Sequence, residues 1–458
     1  MMVKSWLLCT VSALGLAAAP VAAQVAAQPI SDQEAAVLRA QVAALRAQVT
    51  ALEARLDAAS PAPVAVAAPA PTPPVAPATE IAWRGAPELR SAGGWSFKPR
   101  GRLQIDVGGV DAPDAIGDRG LGYATEVRRM QVGVDGTIPG GFAYRFEADL
   151  ADNALTLTDA YLTYTNGAIQ VTAGHQKPPL SLDEATSDLF TSFNERAAFT
   201  QAFGFERRLG VSGAWTHGPF IVQGGVFADD VSALTNAANN SWSINGRIVF
   251  APRLGATQLH LAASAHSRDL GDATATARYR TRPFFHGTDT RLVDTLAFAA
   301  SGENNYGVEF AAIRGRFHAA GELAWMQARR PALIDPTFGG GYAEIGMFLT
   351  DDSRNYRKGA FDRVSPRHAV GSGGQNGGGM GAVELNLRYD WVDLNDASAG
   401  IIGGGQTSYL GSLTWIATPY VRVIASYGHI SLSDARIAAG SERDYSADAV
   451  ALRAQVDF

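Results

Sequence analysis

The sequence of 458 residues predicts an all-β fold, a closed 16-stranded antiparallel transmembrane β-barrel that is preceded by a short α-helical coiled coil. Three observations lead to this prediction. From about Phe97 onward, short segments alternate apolar with polar residues, and tight turns alternate with long connections. The chain also ends inside an alternating segment, residues 447–458. A strand at the open edge of a sheet invites aggregation, so we expect a sheet that closes on itself.

The N-terminal segment has the features of a secretory signal peptide. Lys4 precedes an apolar run at 6–19, and small residues stand directly before Gln24. A positive start, an apolar core and small residues at the cleavage point define such peptides, so we expect residues 1–23 to be removed. The single cysteine, Cys9, lies in this segment, which excludes disulfides from the mature chain. No later stretch approaches the ~20 apolar residues that a membrane helix needs.

Residues 24–58 are predicted to contain a coiled coil, and residues 59–96 a linker. Apolar residues of the first segment follow one another at heptad spacing: Leu38, Val42, Leu45, Val49, Leu52 and Leu56. This pattern is typical of a coiled coil, and an amphipathic helix that packs on its own domain is the alternative. The stretch 59–79 has seven prolines and no charge. Such a composition cannot form a core, so we expect a stiff, Pro/Ala-rich linker.

Residues 97–458 form the predicted barrel domain. In the segment 382–391, AVELNLRYDW, the odd positions are Val, Leu, Leu, Tyr and Trp, and the even positions after Ala382 are Glu, Asn, Arg and Asp. Side chains of a strand alternate between the two faces of a sheet, so one face is apolar and the other is charged. Aromatic residues are abundant on the apolar faces near strand ends. That distribution is typical of strands that cross a membrane.

The connections support the same interpretation. Tight turns near 139–141, 166–167, 217–219, 314–315 and 418–419 alternate with long connections near 109–122, 177–206, 229–240, 268–292, 328–338, 394–404 and 431–445. Outer-membrane barrels have short periplasmic turns and long outer loops. The strand count is 16 if one long strand covers 294–314, and an even number places both termini in the periplasm. One exception is the segment 351–380, a long connection where a short periplasmic turn is expected.

Several stretches carry a family resemblance. They are FKPRGRLQIDVG, VRRMQVGVDGTIPGGFAYRFEADLAD, GHQKPPLSLDEATS, FNERAAF followed by RRLGVSG, and DDSRNYRKGAFDRV. Over residues 97–458 the chain resembles the phosphate-selective porin O and P family, while the coiled coil and linker lie outside the resemblance. The resemblance implies a trimeric, 16-stranded outer-membrane porin. It also implies that the third outer loop, residues 177–206, folds into the lumen and narrows it.

The candidate functional residues are basic side chains of the lumen. A pore selects through rings of charged side chains and through its narrowest diameter. Strand parity directs toward the lumen the candidate anion-contacting residues Arg102, Arg129, Arg145, Arg208, Arg316 and Arg388. The candidates in the constriction loop are Lys177, Glu195, Arg196 and Arg207. A hydrated lumen of compensating charges is the alternative, in which Glu195 and Arg196 only fix the loop to the wall.

We therefore expect passive diffusion of small anions, phosphate or polyphosphate among them, through an arginine-lined lumen. The alternatives are a general non-selective porin and a barrel that tethers the cell wall through its coiled coil. Histidines are scattered without a paired serine or a metal-ligand spacing, so we expect no enzyme, cofactor or metal site. Expected partners are outer-membrane lipids, small anionic solutes, a homotrimer, and peptidoglycan or a periplasmic protein through residues 24–58. The net charge of −6 gives no reason to expect nucleic acid. The expected location is a Gram-negative outer membrane, with the arm in the periplasm.

Overall fold

The computed structural model describes residues 32–58, 79–118, 120–271, 275–371 and 378–458. The chain divides into two units, 1–75 and 76–458, and each is described here by itself. The predicted signal peptide 1–23 and the proline-rich part of the predicted linker lie outside the described residues. Among the helices that the structure describes, none is long and apolar enough to span a membrane.

In the described part of the first unit, Asp32–Ala58 form an α-helix of 27 residues. Its predicted seam is open to solvent, since Val42 is 47% exposed and Leu45 is 60% exposed. Apolar side chains in such a row need a partner surface to leave water. The helix agrees with the periodicity of the sequence, while its pairing into a coiled coil stays a prediction.

The second unit is a closed barrel of 16 antiparallel strands. The strands are β1 Ser96–Asp111, β2 Gly122–Ile138, β3 Phe142–Asp149, β4 Thr156–Asn166, β5 Ile169–Gln176, β6 Arg208–His217, β7 Phe220–Phe227, β8 Trp242–Phe250, β9 Thr257–Asp269, β10 Gly302–Arg314, β11 Phe317–Arg329, β12 Thr337–Phe348, β13 Ala382–Asp396, β14 Ile401–Thr418, β15 Val421–Ser433 and β16 Tyr445–Asp457. Each strand pairs with its neighbours along the chain, and β16 pairs with β1. The predicted fold class is confirmed.

The chain terminus closes the sheet. Phe458 N–H donates to the carbonyl of Gly101 at 3.0 Å, and Gly101 N–H donates to the carbonyl of Phe458 at 3.3 Å. The ring of Phe458 lies where a side chain at 101 would project, since a Cβ there would be 2.2 Å from the ring. Val450 and Leu452 of β16 face outward and Arg453 is buried on the lumen side. The last strand of the given sequence therefore closes the barrel by pairing with β1.

The connections alternate in length as the sequence predicts, with one correction. The outer connections are 112–121, 150–155, 177–207, 228–241, 270–301, 330–336, 397–400 and 434–444. The opposite connections are 139–141, 167–168, 218–219, 251–256, 315–316, 349–381 and 419–420. The strand expected over 294–314 begins only at Gly302. The residues before Gly302 instead form short strands that pair with each other inside the loop, 280–281 with 293–294 and 276–277 with 298–299.

Residues 79–96 are partly in strands, although the sequence assigned them to the linker. Two short strands, Glu80–Arg84 and Ala86–Arg90, form a hairpin around Gly85, whose φ is +82°. The second of them pairs antiparallel with the start of β1, with Leu89 opposite Phe97. The ordered sheet therefore begins before residue 97.

Two segments fill the barrel interior from opposite ends. Loop L3, residues 177–207, contains the short helices Leu182–Ala185 and Ala198–Phe203. The inner hairpin, Asn355–Arg357 and Ala360–Asp362, enters from the long connection on the periplasmic side. The two meet where the backbone N–H of Phe361 donates to the hydroxyl of Thr186 at 3.3 Å. The lumen is consequently narrowed by an outer loop and by a periplasmic connection together.

Candidate functional site: the narrow part of the pore

Carboxylates of the barrel wall hold the two short helices of L3. Glu322 on β11 accepts hydrogen bonds from the backbone N–H groups of Leu182 at 2.9 Å and Asp183 at 2.6 Å. Asp390 on β13 accepts from the backbone N–H of Ala198, at 3.2 Å to each oxygen. N–H groups in the first turn of a helix have no intrahelical acceptor. The wall therefore caps both helices and fixes the loop across the lumen.

Arginines of the same side of the barrel hold the middle of L3. Arg422 on β15 donates to the carbonyl of Leu189 at 2.9 Å and also to the carbonyl of Thr191. Arg453 on β16 donates to Glu195 of the loop at 3.0 Å. Guanidinium groups offer five donors in a planar fork and suit such multiple contacts. These two arginines are structural, because Arg422 donates to the loop and Arg453 joins the loop to Asp106 of β1, which it binds at 2.6 Å.

Arg388 on β13 is also committed to L3. Its guanidinium lies 2.6 Å from Glu344 and is enclosed by the rings of Phe193 and Tyr342, at 4.6 and 4.5 Å from their centroids. Glu344 in turn accepts a hydrogen bond from the hydroxyl of Ser192 at 2.5 Å. Arg388 is buried. The sequence placed it correctly on the lumen side, but it lies under the loop and is closed to a passing solute.

Two cavities lie on the opposite side of the lumen, along β2–β8. An outer cavity of about 470 Å³ and an inner cavity of about 390 Å³ are found there. The outer one is bounded by β2, β4, L3 and the loop 270–301, and the inner one by β5–β8, the start of L3 and the inner hairpin. Lys177, the first residue of L3, lines both. It therefore lies between the two cavities.

Both cavities carry an excess of positive charge. Nine lysine and arginine side chains and five carboxylates line the outer cavity, and three of these arginines also pair with carboxylates just outside the lining, Arg207 with Asp159, Arg282 with Asp289 and Arg453 with Asp106, which leaves an excess of one positive charge. Four basic side chains and one carboxylate line the inner cavity, and one of the four, Arg247, is paired with the buried Glu309, which leaves an excess of two. Clefts that are lined by one sign of charge raise the local concentration of the opposite ion. The charged groups in and directly behind the lining of both cavities are therefore net positive.

Lys177 and Arg196 both pair with the carboxylate of Glu184. The Nζ of Lys177 lies 2.6 Å from Glu184 Oε1, and the other oxygen of Glu184 lies 3.1 Å from Nε of Arg196. Burial lowers the pKa of Lys177 to about 8, the attraction of Glu184 opposes that drop, and the repulsion of Arg196 and Arg207 adds to it. Arg196 is thus bound within the loop, whereas the alternative interpretation of the sequence had fixed it to the wall.

Two predicted arginines meet on a carboxylate of L3. Asp188 receives Arg102 Nη1 at 2.6 Å on one oxygen and Arg129 Nε at 2.5 Å on the other. Arg102 is buried in this arrangement, while Arg129 remains partly open and lines the outer cavity. The strong field of both guanidiniums holds the pKa of Asp188 well below its usual range, although burial raises it. Of this pair, Arg129 is the one that a solute can reach.

A second group lies on the wall across from L3. Asp159 on β4 receives Arg207 Nε at 2.6 Å and lies 3.8 Å from Arg145 Nη1. Arg145 also binds Asp135 at 2.7 Å, and 31% of its side chain is exposed. Arg207 lines the outer cavity. Arg145 and Arg207 thus keep a cationic surface open to the lumen while each is held by a carboxylate.

Two predicted residues lie elsewhere. Arg208 is buried and binds Asp229 of an outer loop at 2.9 Å. Arg316 is a correction, because β10 ends at Arg314 and residue 316 stands exposed in the two-residue turn before β11. Strand parity no longer applies once the chain has left the strand. In the described part of the chain, no group of three or more His, Cys, Asp or Glu side chains is placed to hold a metal ion.

Arg128 was missed because a β-bulge changes the parity of β2. Gln104 pairs with Arg129, but its neighbour Ile105 pairs with Val127, so Arg128 is the extra residue. A bulge of this kind re-aims a side chain. Arg128 reaches Glu195 at 3.2 Å and so fixes that residue to the wall, together with Arg453. The period of two gives no signal for the position of a bulge.

Two further groups of basic residues come from connections outside the 16 barrel strands. Arg280, Arg282 and Arg291 of the loop 270–301 line the outer cavity. Burial and the repulsion of Arg282 and Arg280 lower the pKa of Arg291 to about 10, which reflects their crowding. Arg357 and Lys358 of the inner hairpin line the inner cavity. Their loops are long and charged in the sequence, but only the fold shows that both turn inward.

Comparison with known proteins gives consistent results. The profile of the family described as phosphate-selective porin O and P matches residues 97–458. An uncharacterized protein of Caulobacter vibrioides is 44% identical over 95% of this chain and 92% of its own. Porin O of Pseudomonas aeruginosa is 25% identical over 73% of this chain and 82% of its own. Among solved structures, OmpT of Vibrio cholerae has a TM-score of 0.50 at 11% identity, covering 80% of this chain and 99% of that one. OmpF of Salmonella typhi also has a TM-score of 0.50, at 10% identity and 81% and 100% coverage.

Proposed function

The chain belongs to the phosphate-selective porin O and P family and is an outer-membrane porin of a Gram-negative bacterium, and on that premise we propose that it passes small anions, phosphate among them, by passive diffusion. The observation that carries the proposal is Lys177, which lines both cavities of a path with excess positive charge in each half. An anion on this path meets a net attraction from end to end, whereas a cation meets a net repulsion.

The proposal favours transient contact with phosphate over tight capture. Lys177 shares Glu184 with Arg196, and Arg129 shares Asp188 with Arg102. A phosphate ion must compete with these carboxylates for Lys177 and Arg129. Binding must be weak enough for the ion to leave if a pore is to conduct. We therefore expect phosphate to pass as one anion among several, together with chloride and organic acids.

Reversal potentials in an asymmetric KCl gradient, and then in potassium phosphate, test the proposal. The change is Arg129→Ala, since Arg129 lines the outer cavity and keeps part of its side chain exposed. We expect wild-type pores to favour chloride over potassium and the variant to lose part of that preference. Arg316→Ala is the matched control, because that arginine lies exposed in a turn. Equal permeability of chloride and potassium in the wild type would refute the proposal and favour a general, non-selective porin.

We also propose that the protein assembles into a homotrimer through the side of the barrel that its short strands form. Strands β3–β8 have 8–11 residues, whereas β9–β16 have 12–18. Short strands form an apolar outer surface that is shorter than the hydrocarbon layer of the membrane. Contact with another subunit along this surface avoids that mismatch. The exposed apolar seam of the helix Asp32–Ala58 separately favours association with copies of itself. Cross-linking of the purified protein tests the subunit number.

A further inference from the structure

The inner cavity has an apolar strip on its plug side. The residues of this strip come from the start of L3 and from the inner hairpin: Pro178, Pro179, Ala185, Phe190, Ala360 and Phe361. Ala185 is exposed and Pro179 and Phe190 are half-buried. The guanidinium of Arg363 lies 5.0 Å from the centroid of the Phe190 ring, and that of Arg354 lies 4.7 Å from the centroid of the buried Phe361 ring, so the open part of the strip is formed by Pro179, Ala185 and the remaining face of Phe190. Apolar surface in a water-filled path is costly unless something covers it. The strip therefore offers a contact that a bare inorganic anion cannot use.

The barrel wall of the inner cavity carries four uncharged polar side chains beside the ion-paired Arg247. Gln170 and Thr172 of β5, Ser212 of β6 and Gln223 of β7 lie there. Their side chains can donate and accept hydrogen bonds without attracting either sign of charge. The cavity thus has one apolar face and one mostly uncharged polar face. Such a lining suits a ligand that has a flat apolar body.

Cations stand at both ends of this cavity. Lys177 lies at the outer end, directly after β5, and Lys358 lies at the tip of the inner hairpin. Lys358 and Gly359 form the two-residue turn of that hairpin, with φ of +51° and +82°. A lysine in the left-handed region is uncommon and is held there by the surrounding structure. Among the residues that the structure describes, no carboxylate lies within ion-pair distance of Lys358, while its neighbour Arg357 lies 3.5 Å from Asp362.

We propose that the inner cavity favours anions that carry a flat apolar body, with aromatic carboxylates as the chemical class. The carboxylate exchanges between Lys177 and Lys358 while the ring moves along the strip formed by Pro179, Ala185 and Phe190. This proposal rests on the anion pathway proposed above and adds a preference within it. It differs from simple charge selection because chloride and hydroxylated acids gain nothing from the strip.

The test compares two organic anions of equal charge in a planar bilayer. Reversal potentials are measured with potassium benzoate or potassium gluconate against KCl. In the wild type we expect the permeability of benzoate relative to gluconate to exceed the ratio of their mobilities in water by about fivefold, which corresponds to about 1 kcal/mol. A wild-type ratio equal to the mobility ratio, in a pore that still prefers chloride to potassium, overturns this inference and leaves the anion pathway standing.

Two substitutions of opposite sign make the test specific. Phe190→Gln removes the ring from the strip, and we expect it to lower the benzoate-to-gluconate ratio without a change in chloride-to-potassium selectivity. Gln170→Leu adds apolar surface on the facing wall, and we expect it to raise the same ratio. If Phe190→Gln lowers the permeabilities of chloride and benzoate equally, the ring acts only on pore width and the inference fails. If Phe190→Gln does not assemble, an unchanged ratio in Gln170→Leu overturns the inference.

Discussion

The charge of Lys177 should switch the selectivity of the pore between neutral and alkaline pH. Its pKa is lowered to about 8, first by burial and then by the nearby guanidiniums of Arg196 and Arg207, with Glu184 opposing the drop. A lysine of lowered pKa is charged below that value and becomes neutral as the pH rises through it. Anion selectivity should therefore be highest near neutral pH and fall toward about pH 9.

The size of the change follows from the geometry. With a pKa of about 8, Lys177 is roughly nine-tenths protonated at about pH 7 and roughly one-tenth at about pH 9. An anion in contact with a unit charge at about 4 Å gains about 1 kcal/mol in a water-like medium. That energy corresponds to about a fivefold change in the ratio of chloride to potassium permeability. The excess charge of each cavity also falls by one, so both halves of the path contribute.

The assay is the reversal potential in a KCl gradient at a series of pH values. Lys177→Arg is the matched control, because a guanidinium stays protonated throughout the range and leaves every other titrating group in place. We expect a falling ratio in the wild type, a flat profile in Lys177→Arg and a low, flat profile in Lys177→Met. If Lys177→Arg shows the same fall as the wild type, another group titrates and Lys177 does not control the path.

Three further predictions concern L3, the N-terminal arm and a buried ion pair. Replacing residues 182–200 with a short Gly-Ser bridge should raise single-channel conductance, because the wall of a barrel of this size leaves an aqueous channel; unchanged conductance in an assembled pore would place the constriction elsewhere. Deleting residues 24–78 should leave the barrel oligomer intact on gels, since every barrel strand lies beyond that range; a monomer would show that the arm drives assembly. Arg388→Ala should lower the midpoint of thermal unfolding, because an uncompensated Glu344 costs about 3–5 kcal/mol, whereas Arg316→Ala should not; equal midpoints would contradict the role of Arg388 in holding L3.

Much of the fold could be predicted because strand parity is a local signal. In β16, Val450 and Leu452 face outward and Arg453 faces the lumen, as their positions in the sequence require. Parity fails where a strand bulges or ends, and for that reason Arg128 was missed and Arg316 was misplaced. A bulge and a strand end depend on the pairing partner, which is distant in sequence.

The sequence by itself determined the barrel, its strand number, the alternation of its connections and the lumen side of most arginines, because each of these follows from a repeat of two residues and from turn chemistry. Only the tertiary structure decided which of those arginines a solute can meet. Arg102 and Arg388 lie under L3, while Arg129 and Arg145 remain partly open, and the difference arises from how a loop of 177–207 leans across the lumen. The contacts of that loop join residues as far apart as Leu189 and Gln455, whose side-chain amide donates to the Leu189 carbonyl at 3.2 Å. Local sequence patterns do not encode such long-range pairings, since the partner is chosen only when the closed wall brings both groups to one point.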